Sequence, residues 1–353
     1  MAAVNTTFID LEARARRGDQ EAQIALGREF VARRDARQAR AWFATAAKSG
    51  HRDGLRLLAI NLLTQSPIVE SDAVNMMRAA ADKGDAEAMY ICALLAAQDT
   101  RLADRWHVAR QILERSAAAG FELARSELAY IEESPSDDDV DCWTAPRNGS
   151  KLLITAVSES PRIEKIENFA DPLACDWLIE RARSRIGPAE VYDPGTGKGK
   201  LEKVRSNKAA MFNIVESNLV LLAIREQVTR IVNLPLASLE PSSVLHYDVG
   251  EQFEPHFDFL DADVPTYARE IASSGQRVAT FLLYLNDDYE DGDTDFPDIS
   301  LSFKGRKGDA LLFWSVAPTG APDLRTRHAG RPPTRGEKWV LSQWLRHRPS
   351  PIR

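Results

Sequence analysis

The chain has 353 residues, of which 44% are hydrophobic and 27% charged, and its formal net charge is -7. This length predicts two domains, and the composition is typical of a soluble globular protein. The negative charge argues against nucleic acid as a partner, because phosphate binding requires a concentrated basic surface. Three scattered cysteines, no signal-peptide core and no long apolar segment predict a cytoplasmic protein without disulfides or membrane partners.

An Ala-x-x-Gly pattern recurs four times within residues 1–133, at intervals of 32 to 36 residues. Each glycine is followed by a small residue after four positions and by an apolar residue after eight. The glycines are Gly18, Gly50, Gly84 and Gly120; the small residues are Ala22, Gly54, Ala88 and Ala124; the apolar ones are Leu26, Leu58, Cys92 and Leu128. This period predicts an α-solenoid of helix pairs, in which glycine ends one helix and small residues let helices approach. The pattern resembles Sel1-like repeats, relatives of the tetratricopeptide repeat; the alternative is a plain Ala-rich helical bundle.

Residues 134–150 are rich in Pro, Ser, Gly and acidic side chains and are interpreted as a linker. Residues 151–353 form the second predicted domain. Strands are predicted at 152–157, 163–166, 244–247, 278–285, 310–314 and 338–345, and helices at 172–183 and 218–232. Short strands separated by turns are typical of a sandwich or barrel.

The strongest chemical signal is the pair His256 and Asp258, which one residue separates. On an extended strand both side chains point to the same side and offer two ligands to one metal ion. His328, which precedes a strand-like segment, is the candidate for the third ligand. Such a facial triad leaves coordination positions open and is typical of non-haem iron(II) oxygenases. Lys338, ten residues further on, is a candidate partner for a buried carboxylate, which requires a fixed cation.

Five segments occur in an order that is familiar from one enzyme family. They are Tyr-x-x-Gly-x-x-Phe-x-x-His-x-Asp at 247–258, Arg-Val-Ala-Thr-Phe-Leu-Leu-Tyr-Leu-Asn at 277–286, Thr-x-Phe-Pro at 294–297, Lys-Gly-Asp-Ala-Leu-Leu-Phe at 307–313, and His-Ala-Gly-x-x-Pro with Gly-x-Lys-Trp at 328–339. With these segments, residues 161–346 resemble the catalytic domain of the prolyl 4-hydroxylases.

The resemblance implies a multidomain α + β chain, in which a double-stranded β-helix (jelly roll) with flanking helices follows the solenoid. It implies Fe(II), 2-oxoglutarate and dioxygen, with ascorbate as reductant. The implied site residues are His256, Asp258 and His328 for Fe(II), Lys338 for the distal carboxylate of 2-oxoglutarate, Thr280 and Tyr284 beside that carboxylate, and Tyr247 near the cosubstrate. For Thr280 and Tyr284, packing in the barrel interior is an equally weighted alternative.

The substrate region is less well determined by the sequence. Residues 191–206 occupy the place of a substrate-covering loop in this family, so we expect this loop to be mobile. Arg205 at its end and Trp339 are candidate substrate contacts, although core packing is the favoured interpretation of Trp339. The acidic loop 287–298 is either a solvated turn or a lip that favours cationic substrates.

Three functions are compatible with these patterns. The first hypothesis is hydroxylation of a peptidyl residue, above all proline, with succinate and carbon dioxide as co-products. In this hypothesis the repeats recruit a peptide or protein. The second is hydroxylation of a free amino acid or a small peptide natural product. The third is an inactive oxygenase domain that serves as a binding scaffold, against which the intact triad and Lys338 argue.

Overall fold

The computed structural model describes residues 2–65, 71–134, 140–189, 191–193, 198–200 and 204–349. The chain divides into two compact units, residues 1–132 with Ile214–Leu219, and residues 133–213 with 220–350. The inclusion of Ile214–Leu219 in the first unit is a feature that the sequence did not predict. Within the residues described, no helix is both long and apolar enough to cross a membrane.

The predicted domain boundaries at 133/134 and 150/151 stay a prediction, but the described part of the predicted linker is folded. Val140–Trp143 forms a short 3-10 helix. The Trp143 side chain is buried, and the Thr144 carbonyl accepts a hydrogen bond from the Asp171 amide at 2.7 Å. These residues therefore pack within the second unit.

Helix pairs make up the first unit. Its described helices are α1 (Ala2–Arg16), α2 (Gln20–Ala32), α3 (Ala36–Lys48), α4 (Arg52–Gln65), α5 (Ser71–Asp82), α6 (Ala86–Gln98), α7 (Arg105–Ala118) and α8 (Glu122–Glu132). The four repeat glycines adopt positive φ angles between 77° and 99°, as their predicted role at helix ends requires. After two of them an aspartate caps the next helix, with Asp19 accepting from the Ala22 amide and Asp85 from the Ala88 amide. The predicted helical repeats are thus confirmed.

The second unit is built on antiparallel strands. They are β1 (Leu153–Glu159), β2 (Arg162–Glu167), β3 (Gly187–Pro188), β4 (Val191–Asp193), β5 (Lys198–Lys200), β6 (Lys208–Phe212), β7 (Ser242–Tyr247), β8 (Phe253–His256), β9 (Arg277–Tyr284), β10 (Glu290–Asp291), β11 (Thr294–Phe296), β12 (Leu301–Phe303), β13 (Ala310–Trp314), β14 (His328–Gly330), β15 (Pro333–Arg335) and β16 (Lys338–Arg346). An eight-stranded sheet has the order β1-β2-β13-β9-β16-β7-β6-β3, and a four-stranded sheet has the order β12-β11-β14-β8. This arrangement is the predicted double-stranded β-helix.

Three helices flank the sheets, α9 (Pro172–Arg183), α10 (Leu219–Val232) and α11 (Pro265–Ser274). The central strands of the larger sheet are buried on both faces. Side chains alternate along each strand, so successive residues contribute to opposite faces. On one face, Phe281 and Leu341 pack with Leu178 of α9 and Ile224 of α10. On the other face, residues of β9 and β16 pack with Phe296 of the smaller sheet. Of the candidate site residues on β9 and β16, Thr280, Tyr284 and Lys338 lie on this second face, between the two sheets.

Candidate metal and cosubstrate site

The metal-binding candidates His256 and His328 lie opposite one another on β8 and β14. The register pairs His328 with His256 and Gly330 with Phe253, so β8 has one residue more than β14 over this stretch. Such a bulge redirects a side chain, and Pro255, which cannot donate to the ladder, lies within it. As a result the Phe253 ring stacks on the His256 ring, with centroids 3.5 Å apart and planes at 15°.

Asp258 completes a compact set of three possible ligands. Its Oδ1 atom lies 3.7 Å from His256 Nε2, and its Oδ2 atom lies 3.5 Å from His328 Nε2. The candidate ligand atoms of the three residues all lie within 4.8 Å of one another. The structure therefore brings His256 and Asp258 together, but β8 ends at His256 and Asp258 follows in a bend and not on the predicted strand.

Backbone carbonyls orient both imidazoles. His256 Nδ1 lies 2.8 Å from the Glu254 carbonyl oxygen, and His328 Nδ1 lies 3.1 Å from the Thr326 carbonyl oxygen. Each Nδ1–H donates to a carbonyl, so each Nε2 keeps a free lone pair directed toward Asp258. Burial, assisted by His328, lowers the pKa of His256 to about 3, which keeps its imidazole neutral. Neutral imidazoles and an ionised carboxylate are the protonation states that metal binding requires.

Thr280 on β9 fixes the carboxylate of Asp258. Its Oγ1 atom donates a hydrogen bond of 2.6 Å to Asp258 Oδ2, and both side chains are buried. Burial raises the pKa of Asp258, but the two imidazoles and this hydroxyl outweigh it and lower the pKa overall. Thr280 therefore contacts a candidate metal ligand, a role that the sequence analysis did not assign to it.

Lys338 points into the space between the sheets from β16. Only 1% of its surface is exposed, and its Nζ atom donates to the Gly292 carbonyl oxygen at 2.6 Å. Burial lowers its pKa to about 7. Among the residues that the structure describes, no carboxylate forms an ion pair with it. A buried ammonium that lacks an acidic partner is the arrangement that a carboxylate ligand would complete.

Aromatic side chains surround this ammonium. Lys338 Nζ lies 5.1 Å from the ring centroid of Tyr247 and 5.8 Å from that of Tyr284. The Tyr284 hydroxyl bonds to Thr294 Oγ1 at 2.8 Å. A Cβ atom added to Gly330 would lie 2.8 Å from the Tyr247 hydroxyl oxygen, so only glycine leaves room for that phenol. The structure thus brings Tyr247 and Tyr284 together with Lys338; their contact with a cosubstrate stays a prediction.

Arg205 lies beside the metal-binding candidates. Its guanidinium carbon is 4.5 Å from the Phe253 ring centroid, and its Nε donates to Asn207 Oδ1 at 3.1 Å. The adjacent Val204 carbonyl accepts from the Glu254 amide at 2.9 Å, which joins this segment to β8. Burial lowers the pKa of Arg205, while Tyr247 and Asp258 act in the opposite direction. A substrate contact by Arg205 remains a prediction.

Of the predicted covering loop, β4 and β5 pair with one another, whereas residues 194–197 and 201–203 lie outside the described part of the chain. Its mobility therefore stays a prediction.

The Trp339 side chain is part of the hydrophobic core of the second unit. It follows Lys338 on β16 and consequently points to the opposite face of the sheet. Its ring packs in the helix-side core, 4.2 Å from the His246 ring centroid, and Arg183 lies over it at 5.1 Å. The structure therefore contradicts the candidate substrate contact of Trp339 and agrees with core packing, the favoured interpretation.

Three of the seven acidic side chains in loop 287–298 form ion pairs within the chain. The pairs are Glu290 with Arg335, Asp295 with Arg331 and Asp298 with Arg327, at 2.5–2.8 Å. Asp293 accepts from the Ser302 hydroxyl, and Asp291 from the Thr334 hydroxyl. These contacts favour a structural turn over a lip for cationic substrates. The loop also supplies the Gly292 carbonyl that contacts Lys338.

A second cluster with possible metal ligands comprises His246, Asp248 and Glu251. The Lys208 ammonium, however, pairs with Asp248 and lies 3.1 Å from Glu251 Oε1, while His246 Nε2 bonds to Glu337 at 2.8 Å. Lys208 thus supplies the positive charge that a metal ion would bring, and we assign no metal to this cluster.

Comparisons with known proteins agree with this geometry. Residues 242–346 match the family model of the 2OG-Fe(II) oxygenase superfamily. The chain is 34% identical to prolyl 4-hydroxylase 1 of Arabidopsis thaliana over 229 residues, which cover 60% of this chain and 79% of the plant protein. The viral collagen prolyl hydroxylase of Paramecium Bursaria Chlorella virus-1 shares 27% identity and a TM-score of 0.41, covering 52% of this chain and 95% of that one. A Sel1 repeat protein from Oxalobacter formigenes shares 23% identity and a TM-score of 0.30, covering 34% and 96%.

The match to the superfamily model and the plant relative define the class of the enzyme. The chain is an iron(II)- and 2-oxoglutarate-dependent dioxygenase. Within that class it belongs to the prolyl 4-hydroxylase-like family. The residues present fit the expected groups, since two oriented imidazoles and a carboxylate suit Fe(II) and the buried Lys338 suits a carboxylate. The scaffold hypothesis, which assumed an inactive oxygenase domain, is not retained.

Proposed function

We propose that the enzyme hydroxylates a prolyl residue, or another residue, of a peptide or protein, and converts 2-oxoglutarate and dioxygen to succinate and carbon dioxide. The observation that carries the proposal is the joint placement of the His256, Asp258 and His328 set and the buried Lys338 between the two sheets. The similarity to a plant prolyl 4-hydroxylase supports proline as the target. Ascorbate as reductant and a cytoplasmic location are further parts of the proposal.

In this proposal the three candidate ligands hold Fe(II) through two Nε2 atoms and one carboxylate. The Glu254 and Thr326 carbonyls keep the proton on Nδ1 of each imidazole, and Thr280 prevents the carboxylate of Asp258 from rotating. Bound Fe(II) supplies the redox chemistry that activates dioxygen and breaks an unactivated C–H bond. The protein supplies a fixed, partly water-excluded position for the reactants.

Lys338 binds the distal carboxylate of 2-oxoglutarate in this proposal. Its ammonium is fixed by the Gly292 carbonyl and keeps two further N–H groups for the ligand. Burial raises the pKa of Tyr247 to about 12, so its phenol stays protonated and can donate a hydrogen bond. One charged donor and one neutral donor then orient the cosubstrate. The helical repeats recruit the peptide.

The experiment that tests the proposal is mass spectrometry of proline-containing peptides incubated with the enzyme, Fe(II), 2-oxoglutarate and ascorbate. We expect a mass increase of one oxygen atom on proline, accompanied by one succinate per hydroxylation, and neither product with His256→Ala. The substitution His107→Ala on the exposed face of α7 is the matched control and should leave both products unchanged. Hydroxylation of free proline or another free amino acid, with no peptide hydroxylated, would refute the peptidyl substrate and support the second hypothesis.

A further inference from the structure

A groove crosses the helical-repeat unit. It encloses about 750 Å³ and is lined by one face each of α5, α6 and α7, with Ile214 of the same unit. We call this cavity the repeat groove. Its size is within the range of cavities that bind ligands in proteins.

The floor of the repeat groove is apolar. Met89, Cys92 and Leu95 line it from α6, and Val108 and Ile112 line it from α7. Their spacings of three and four residues place each set on one side of its helix. Burial raises the pKa of the Cys92 thiol to about 11, so this side chain contributes a neutral, weakly polar surface.

The length of the floor suits an extended peptide. The lining residues of α6 run from Met89 to Gln98, which corresponds to about 14 Å at 1.5 Å per residue. An extended chain covers this distance with four or five residues. The amide of Asn75 and the hydroxyl of Thr100 also line the groove and are exposed. Both groups can donate to and accept from the backbone of a bound peptide.

Two arginines flank the floor. Arg78 of α5 and Arg115 of α7 line the groove, and both favour the ionised form of the Cys92 thiol between them. In the described parts of the chain, the side chain of neither arginine forms an ion pair or hydrogen bond with another residue. Asp99, which also lines the groove, is already paired with Arg101 through bonds of 2.7 and 2.8 Å.

These charges make the repeat groove locally cationic. Among the lining side chains, the three arginines Arg78, Arg101 and Arg115 outnumber the two aspartates Asp82 and Asp99. The net charge of the whole chain is -7, so the positive charge of the groove is a local feature and does not reflect an overall positive charge. Carboxylates would gain charge-assisted hydrogen bonds from the guanidinium groups of Arg78 and Arg115.

We propose that the repeat groove binds a short extended peptide segment in which acidic side chains alternate with apolar ones. The apolar side chains contact Cys92, Leu95 and Ile112, and the carboxylates pair with Arg78 and Arg115. If this segment is part of the hydroxylated substrate, that identification rests on the proposed function. Binding of the peptide to the groove does not. Binding to the groove is measured without iron, so the failure of one proposal is distinguishable from the failure of the other.

The test uses the full chain and two fluorescein-labelled peptides, Leu-Glu-Leu-Glu-Leu and Leu-Lys-Leu-Lys-Leu, titrated by fluorescence anisotropy. We expect the glutamate peptide to bind at least tenfold more tightly than the lysine peptide. The double substitution Arg78→Glu with Arg115→Glu should weaken its binding at least tenfold. Arg37→Glu, which replaces an exposed arginine of α3 outside the groove, should change it less than twofold.

A second measurement locates the peptide. Alkylation of Cys92 at pH 9, quantified by mass spectrometry separately from Cys142, should slow at least threefold when the glutamate peptide is saturating. Equal binding of the two peptides, no effect of the double substitution, or undiminished Cys92 alkylation would each overturn the proposal. Displacement of the bound peptide by dodecanoate at lower concentration than by unlabelled peptide would also overturn it, in favour of an aliphatic ligand.

Discussion

Replacing Lys338 with methionine should stabilise the cosubstrate-free enzyme and abolish tight binding of 2-oxoglutarate. The buried ammonium has its pKa lowered from 10.5 to about 7. One pKa unit corresponds to about 1.4 kcal/mol, so burying the proton on Lys338 costs on the order of 4 kcal/mol at pH 7. Methionine has similar length and no charge, and we expect it to recover a few kcal/mol of this cost in the free energy of unfolding.

The pH dependence identifies the cause of this stabilisation. The unfolded chain holds the Lys338 proton more tightly than the folded protein, so wild-type stability rises as pH increases from about 7 toward 10. The methionine variant lacks this contribution. The difference in melting temperature between Lys338→Met and wild type should therefore be largest near pH 7 and shrink toward pH 9.5. Lys307→Met, which removes an ion pair with Asp176 at 2.6 Å, should show no gain.

The same substitution should raise the dissociation constant of 2-oxoglutarate on the order of 100-fold. The ligand's distal carboxylate would then be buried without a cation, which costs about 2–5 kcal/mol. Calorimetric titration in the presence of Fe(II) and the absence of oxygen measures this constant. A Lys338→Met variant that melts below wild type at pH 7, or that binds 2-oxoglutarate normally, would refute the reasoning.

Three further substitutions test individual contacts. Thr280→Val keeps the side-chain shape but removes the 2.6 Å bond to Asp258, so metal affinity in a Co(II) titration should fall about tenfold; an unchanged affinity would contradict the assigned contact. Phe253→Leu removes the ring stacked on His256 at 3.5 Å and should weaken Co(II) binding about two- to tenfold, whereas equal binding would show that the stacking has no positioning role. Gly54→Ala places a Cβ atom 2.8 Å from the Ala46 Cβ atom and should destabilise the helical repeats by about 1–3 kcal/mol. We expect faster amide exchange in the repeats and unchanged substrate-free turnover of 2-oxoglutarate. Unaltered exchange would mean that the helices can separate without cost.

Patterns with a fixed period predicted most of the fold. The helix Pro172–Arg183 and the strand Ala310–Trp314 have the predicted bounds, because proline starts the helix and both segments are buried in one hydrophobic core. The repeat glycines were predictable because each helix ends with a residue in the left-handed backbone conformation, which most other amino acids avoid. Short strands such as Gly187–Pro188 were missed, since two residues carry no periodicity.

His256 and Asp258 were predictable from their spacing, and His328 from its place before a strand and from the family resemblance, but their supporting residues were not. The stacking of Phe253 on His256 depends on the bulge in β8, and the only sequence signal for that bulge is Pro255 within a strand. The alternation of side chains along β16 places Trp339 on the face opposite Lys338, which agrees with core packing and not with a substrate contact. The insertion of Ile214 into the helical unit has no local signal, since it depends on tertiary packing.

The most direct test of the proposed site is succinate release from 2-oxoglutarate under air with Fe(II) and ascorbate, comparing wild type with His256→Ala, Asp258→Ala, His328→Ala and the control His107→Ala. We predict succinate from wild type and from the control, and at least a 100-fold loss in each of the three variants of the metal-binding candidates. Normal folding of those variants by circular dichroism excludes a structural cause for the loss. Succinate production that survives the removal of any one of these three residues would contradict the assignment of His256, Asp258 and His328 as the iron ligands.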